Sequence, residues 1–402
     1  MAHRCEDYLK ILCEEISQRP VGSEGNRQAT EFFQKVVEDF NWEVKSTPFH
    51  AMDWKDGGAN FRIGDIVFQV FPSPYSSGCE LKASLVAAGS LEELEKIDAA
   101  GKLLLLHGDL TKEQLMPKNF VFYNPEEHQR IIKFLETLQP GAILTATNRN
   151  ASLAGGVYPF PLIEDGDFQI PSVYLTDEEG LRILSLVGNE GTLSSRAQRI
   201  SAESYNLVTS KGRDQTRRIA ISAHIDAKLD TPGAIDNATG VIVLMLLAER
   251  LKDYQGEVMI ELLPFNGEDY YAASGQMIYL EQNKEKLDEI LININIDGAG
   301  FHRGPSVFSP FDLPDNIQNW LDEVLNSTDK LFHGSPWYQG DHSIFLQQGV
   351  PAIAVTSQWF LENIDDQDIT HTPKDQPGIV DCDKLVEITA GIFDFIQKAY
   401  LG

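Results

Sequence analysis

The stretch "RRIAISAHIDAKLDTPGAIDNATG", Arg217–Gly240, decides the reading of this chain. Its first half is apolar and β-branched, as a buried strand requires. At the strand's mouth stand His224 and Asp226, and beyond a Pro-Gly turn comes Asp236, just before a run of small residues that opens a helix. A buried carboxylate is strongly disfavoured unless it is paired or bound to a cation. So many metal-competent side chains in one place therefore demand partners from elsewhere in the chain.

The residues after about 200 supply them in regular alternation. "RRIAISAH", "EVMIELLPF", "EILININID" and "VPAIAVTS" read as strands, with helices starting near Asn237, Ala273 and Pro314. Near-continuous apolar strands separated by helices mean a mostly parallel sheet covered on both faces. The first forty residues read as helix, loop, helix ("EDYLKILCEEISQ", "RPVGSEGN", "RQATEFFQKVVEDF"), followed by the strand "WEVKSTPF". Between them and residue 200 the texture changes. Short strands "KLLLLHGDL", "GAILTATN" and "IPSVYLT" surround the helix "PEEHQRIIKFLETLQ". The expected plan is an α/β domain built from 1–58 and 201–402, with a smaller mixed α/β domain, 59–200, inserted.

Bulk properties narrow the function. The 402 residues are 42% hydrophobic and 23% charged, an ordinary globular balance with no biased tract. A net charge of −27 speaks against nucleic acid and anionic membranes, because nothing here could neutralise phosphates at scale. The apolar run "VIVLMLLA" is far too short to span a bilayer. "MAHRCEDYLKILCEEI" carries acids where a signal peptide needs an uninterrupted apolar core. Cys5, Cys13, Cys79 and Cys382 show no CxxC spacing and read as free thiols, consistent with a cytoplasmic protein. No G-x-S-x-G and no phosphate-binding glycine loop occurs.

Each later strand ends in acid or histidine. After the first come His224, Asp226 and Asp236; after the second, Glu268 and Asp269; after the third, Asp297; and near the C-terminus "THTPKD" offers His371. The carboxyl ends of strands in an open α/β sheet form its ligand crevice. Two histidines and three carboxylates without a thiolate suit a catalytic divalent ion such as zinc. Five ligands exceed what one tetrahedral ion with an open position takes, and suit two ions about 3.5–4 Å apart sharing a carboxylate, with Asp236 as the natural bridge. Glu268 and Asp269 point opposite ways on extended backbone, so one can ligate while its neighbour accepts a proton from water. Singly, each piece has a plainer reading: "DNATG" as a helix start, "NGED" as a turn. The case rests on their arrival in order at successive strand ends.

These residues resemble the dizinc aminopeptidase family, whose relatives include glutamate carboxypeptidase and glutaminyl cyclase. The matching pieces are "RPVGSEGN", "SAHID", "PGAIDNATG", "FNGED", "NIDGAG", "GDHSIFLQQGVPAI" and "THTPKD". The resemblance implies a zinc exopeptidase fold and two zinc ions per chain, one on His224 and Asp297, the other on Asp269 and His371, with Asp236 between them. It implies that Glu268 is the general base for a zinc-held hydroxide and that Asp226 orients His224. The activity expected is release of N-terminal residues from peptides. The rivals are a single-zinc cyclase, an amidohydrolase on a small amide, and a non-catalytic binding relative. The inserted segment resembles a protease-associated domain. Asp341, His342 and Tyr338 are candidates for contacting substrate, and self-association is left open. The chain departs from the family pattern in having Asp269 where Glu is usual, "YYAASG" for a Gly-Leu-x-Gly-Ser run, and "GDH" for Ser-Asp-His. The shorter Asp269 bears directly on the second zinc site.

Overall fold

The computed structural model describes residues 2–16, 18–148, 157–364 and 367–401. The chain divides into two compact units, Met1–Ala51 with Glu203–Gly402, and Met52–Ala202. The first is built on a sheet of eight strands. In chain order these are β1 (Glu43–Lys55), β2 (Gln198–Lys211), β3 (Asp214–His224), β4 (Val258–Phe265), β5 (Ile290–Ile296), β6 (Ser306–Phe311), β7 (Leu331–His333) and β8 (Ala352–Ser357). Their spatial order is β1-β2-β4-β3-β5-β8-β6-β7. The central four, β4-β3-β5-β8, run parallel, while β2 and β6 pair antiparallel to their inner neighbours. The sheet is therefore mixed at its margins and parallel at its centre, where the four strands read from sequence lie.

Helices α1 (Ala2–Lys10), α2 (Glu24–Asp39), α3 (Thr239–Arg250), α4 (Ser274–Asn283), α5 (Asp315–Asn326) and α6 (Cys382–Ile396) belong to this unit. α3 is buried from Thr239 to Ala248 and has no polar face, so it is a core helix, packed with side chains of α1, α2, α5 and α6. Gly240 lets it approach the sheet. A Cβ there would lie 2.6 Å from the Ile296 carbonyl oxygen and 2.8 Å from the Ala223 methyl. Elsewhere the rings of Phe265, Tyr279 and Phe345 meet at 5.4–6.2 Å, seating α4 on β4.

The second unit has its own eight-stranded sheet. Its parallel centre is Cys79–Ala88, Leu103–Leu106, Ala142–Thr147 and Ser172–Thr176, the last three being the strands read from sequence. Helix Glu126–Leu138 buries Ile131, Ile132 and Leu135 in an apolar cluster with Leu104, Leu106 and Ile143. Among the described residues no helix is long and apolar enough to cross a membrane.

The cysteine expectation needs correction. Cys5 of α1 and Cys382 at the start of α6 form a disulfide, 377 residues apart in sequence with Cα atoms 5.8 Å apart. No spacing rule exposes such a pair, because it depends on α1 packing beside α6. A stable disulfide belongs to oxidising compartments, so thiol usage no longer supports a cytoplasmic protein. Cys13 and Cys79 remain free. Burial pushes the Cys13 thiol up to about 11, so alkylation of the native chain at pH 8 should favour Cys79. The unfolded, unreduced chain should show two reactive thiols by mass, and four would refute the disulfide. Replacing Gly240 with Ala should destabilise the chain by about 1–3 kcal/mol through overpacking, despite the better helix propensity of Ala. An unchanged denaturation midpoint would mean that α3 does not sit so close to the sheet.

Candidate metal centre

β3 and β4 stay in register to their ends, His224 facing Phe265, and Ile225 continues the pairing by donating its N–H to the Phe265 carbonyl at 2.8 Å. Asp297 follows β5 directly, and its N–H donates to Val355 of β8 at 3.0 Å. Parallel pairing thus delivers side chains from three strands to one end of the sheet, as the crevice rule requires.

There the predicted ligands meet. His224 Nε2 lies 3.1 Å from Asp236 Oδ1 and 3.8 Å from Asp297 Oδ1. His371 Nε2 lies 3.0 Å from Asp236 Oδ2 and 3.2 Å from Asp269 Oδ1. Asp236 turns one oxygen to each imidazole, which is the geometry of a bridging carboxylate. Two triads with compact donor atoms follow, His224/Asp236/Asp297 and Asp236/Asp269/His371, while Glu268 groups with His224 and Asp269.

The donor set fits two zinc ions. A tetrahedron with bonds of about 2.0–2.2 Å has edges of about 3.4 Å, the scale of these separations. His224 Nδ1 faces the Asp226 carbonyl oxygen at 3.1 Å, which places its proton there and leaves the Nε2 lone pair aimed at the two aspartates. That Nε2 is buried without a hydrogen-bond partner, as expected of an atom whose partner is a metal. Burial alone would lower the His224 pKa, but Asp226, Asp236 and Asp297 outweigh it and hold the imidazole well above its ordinary value. Burial likewise opposes ionisation of Asp236, yet His224 and His371 keep its carboxyl below the usual range. For Glu268 burial prevails, with Asp269 and Asp297 adding repulsion, and the pKa is raised well above normal. The cluster calls for positive charge.

Asp226 does more than face His224. Its Oδ1 stands 3.7 Å from His224 Nδ1, but the same carboxylate accepts the N–H groups of Gly267 at 2.8 Å, Glu268 at 3.3 Å and Asp269 at 3.0 Å. It therefore ties the Gly267–Asp269 loop to the end of the strand that carries His224. Gly267, at φ +145°, permits that wrap. Asp269 also accepts the Lys228 N–H at 3.2 Å, with the Lys228 ammonium 3.9 Å from its other oxygen.

The three substrate candidates fall differently. Asp341 is buried beside the cluster, and its Oδ1 accepts from Gln276 Nε2 at 2.8 Å. Burial lifts its carboxyl to about 7 against the pull of the His224 imidazole. His342, held neutral by burial with a pKa of about 4, donates from Nε2 to the Trp337 carbonyl at 2.8 Å. Its ring packs between Phe311 and Trp337. Tyr338 is 67% exposed and meets the Phe311 ring edge-on. The departure "GDH" has a geometric counterpart, since a Cβ at Gly340 would sit 3.3 Å from Asp297 Oδ2.

Sequence reading missed the residues beneath the site. Arg19 is buried and donates to the carbonyls of Leu12, Pro232, Gly233 and Ile225. Gln276 holds Asp341, and Asp375 lies under Asp236. Arg19 and Asp375 stand inside the quoted motifs "RPVGSEGN" and "THTPKD", but nothing in their spacing says what they bind.

The chain is similar to known peptidases in sequence and in fold. Residues 206–396 match the model of peptidase family M28. Aminopeptidase YwaD of Bacillus subtilis is 21% identical over 97% of this chain and 84% of its own. The structure of an aminopeptidase from Aneurinibacillus sp. strain AM-1 superposes with a TM-score of 0.76, at 18% identity, over 99% of this chain and 94% of that one. BSAP, a zinc aminopeptidase from Bacillus subtilis, gives a TM-score of 0.76 at 17% identity over 99% and 95%. The match of residues 206–396 to peptidase family M28 is in keeping with the dizinc aminopeptidases that the sequence resembles.

Proposed function

We propose that this chain is a zinc-dependent aminopeptidase, hydrolysing the first peptide bond of substrates with a free N-terminus. The observation that carries the reading is Asp236, whose two oxygens face His224 and His371 at 3.1 and 3.0 Å. His224, Asp236 and Asp297 would hold one zinc ion, and Asp236, Asp269 and His371 the other. When bound, the ions supply Lewis-acid polarisation of the scissile carbonyl and acidify water.

The protein's own groups do the rest. Glu268 takes a proton from the attacking water and passes it to the departing amine nitrogen. Asp226 holds the backbone N–H groups of the loop that carries Glu268, which keeps the base beside the ligand Asp269. Charge favours an amino-terminal substrate. Asp226, Asp236, Glu268, Asp269, Asp297 and Asp341 gather six acidic side chains at the site, with the Lys228 ammonium beside Asp269 as a cation among them. Such an acid-rich site suits the α-ammonium of a peptide N-terminus. The aromatic group of Trp337, Phe311 and Tyr338 is our candidate for receiving the first side chain. We assign the unit Met52–Ala202 as the protease-associated-like insertion.

Elemental analysis of the full chain should find two zinc equivalents, and His371→Ala should lose one of them. A single equivalent in the wild type would favour the one-zinc cyclase reading instead. Glu268→Gln should retain both ions and lower kcat on an aminoacyl anilide by about 10²–10⁴-fold. The N-acetylated anilide should resist the wild type. Near-normal turnover by Glu268→Gln would remove Glu268 from the chemistry, and cleavage of the acetylated substrate would remove the requirement for a free amine.

A further inference from the structure

The bridging carboxylate sits on an irregular segment, so something must aim it. Asp236 lies between Gly233, at φ +60°, and the start of α3, with backbone angles outside the helical range. A loop of that kind has no ladder of hydrogen bonds to define it. Its carbonyls and amides are instead met by two buried side chains from distant sequence.

Arg19 takes the carbonyl side, donating from its guanidinium to Pro232 and Gly233, both at 2.8 Å. Asp375 takes the amide side. Its carboxylate is fully buried; Oδ1 accepts the Ile235 N–H at 2.7 Å and Oδ2 accepts the Asp236 N–H at 3.0 Å. The Asp375 carbonyl receives the Ala234 N–H at 3.4 Å as well. Asp375 is also four residues from His371, within a short turn closed by its own N–H on the Thr372 carbonyl at 3.2 Å. One side chain therefore links the loop of the shared ligand to the loop of a second ligand.

We infer that Asp375 is a positioning residue for the metal centre: by gripping the amides of Ile235 and Asp236, it aims the Asp236 carboxylate between His224 and His371. Bonds from both carboxyl oxygens to two successive N–H groups fix the peptide planes, and the Asp236 side chain leaves the backbone one bond away. Because Asp236 belongs to both triads, loss of this grip weakens both ions together. His371 belongs to one triad, so its removal weakens one ion. This inference rests on the proposed two-zinc reading.

Zinc titration of the full chain against a competing chelator separates the two ideas. Asp375→Asn keeps the shape but replaces one acceptor oxygen with an N–H donor that opposes a backbone N–H. It should weaken both zinc equivalents by about 10–100-fold, the usual cost of losing a residue that orients a ligand. Asp375→Ala should do the same, whereas His371→Ala should weaken only one. If the Ala variant fails to fold, the near-isosteric Asn variant decides alone. Both equivalents bound at wild-type affinity in Asp375→Asn, with only the thermal midpoint of the metal-free chain lowered, would make Asp375 a structural residue and overturn the inference. A wild-type chain that takes up no zinc would instead overturn the metal-centre reading beneath it.

Discussion

Buried negative charge is the constraint on which this structure depends. Carboxylates from four separate segments converge at the carboxyl edge of one sheet, close enough to repel each other and shielded enough that water cannot dissipate the repulsion. Two imidazoles share the same space, and one of them turns an unpartnered nitrogen toward two of the acids. Such an arrangement is stable only if positive charge enters it. Divalent cations are the economical solution, since each satisfies several oxygens at once.

The fold is arranged to keep those groups together. Parallel pairing puts the ends of β3, β5 and β8 level, so that His224 and Asp297 emerge side by side. The buried stretch of α3 and the Gly240 contact let the segment after the Pro-Gly turn lie close to those strand ends. Asp226 fastens the Gly267–Asp269 loop to the same edge with three amide bonds. Arg19 and Asp375 then grip the Asp236 loop from opposite sides. The polar residues beneath the centre thus serve as much to hold backbone as to balance charge.

Position 269 shows how a single methylene is accommodated. The carboxylate there is shorter than the family's usual Glu, yet it reaches within 3.2 Å of His371 Nε2. Its loop is drawn in by Asp226, and the Lys228 N–H steadies its second oxygen. His371 stands on a more open loop, its side chain 40% exposed against 1% for His224. The two halves of the centre therefore differ in solvent access while sharing one carboxylate.

Sequence alone was enough for the central strands, the helices that follow them, and the metal-competent side chains at the strand ends. Apolar periodicity and residue chemistry are local properties, and His224, Asp236, Glu268, Asp269, Asp297 and His371 each follow or end a recognisable element. The antiparallel margins of the sheet were not legible, because strand order depends on which edges meet after the chain has turned. Nor was the Cys5–Cys382 bond, which joins residues 377 positions apart. Asp375 and Arg19 were in plain view as letters, but their partners are backbone groups, and a backbone amide looks the same at every position until folding places it. Only the tertiary structure could decide how near each carboxylate comes to the two imidazoles, which one holds a loop, and which cysteines meet, since each is a matter of distance between segments that the chain keeps far apart.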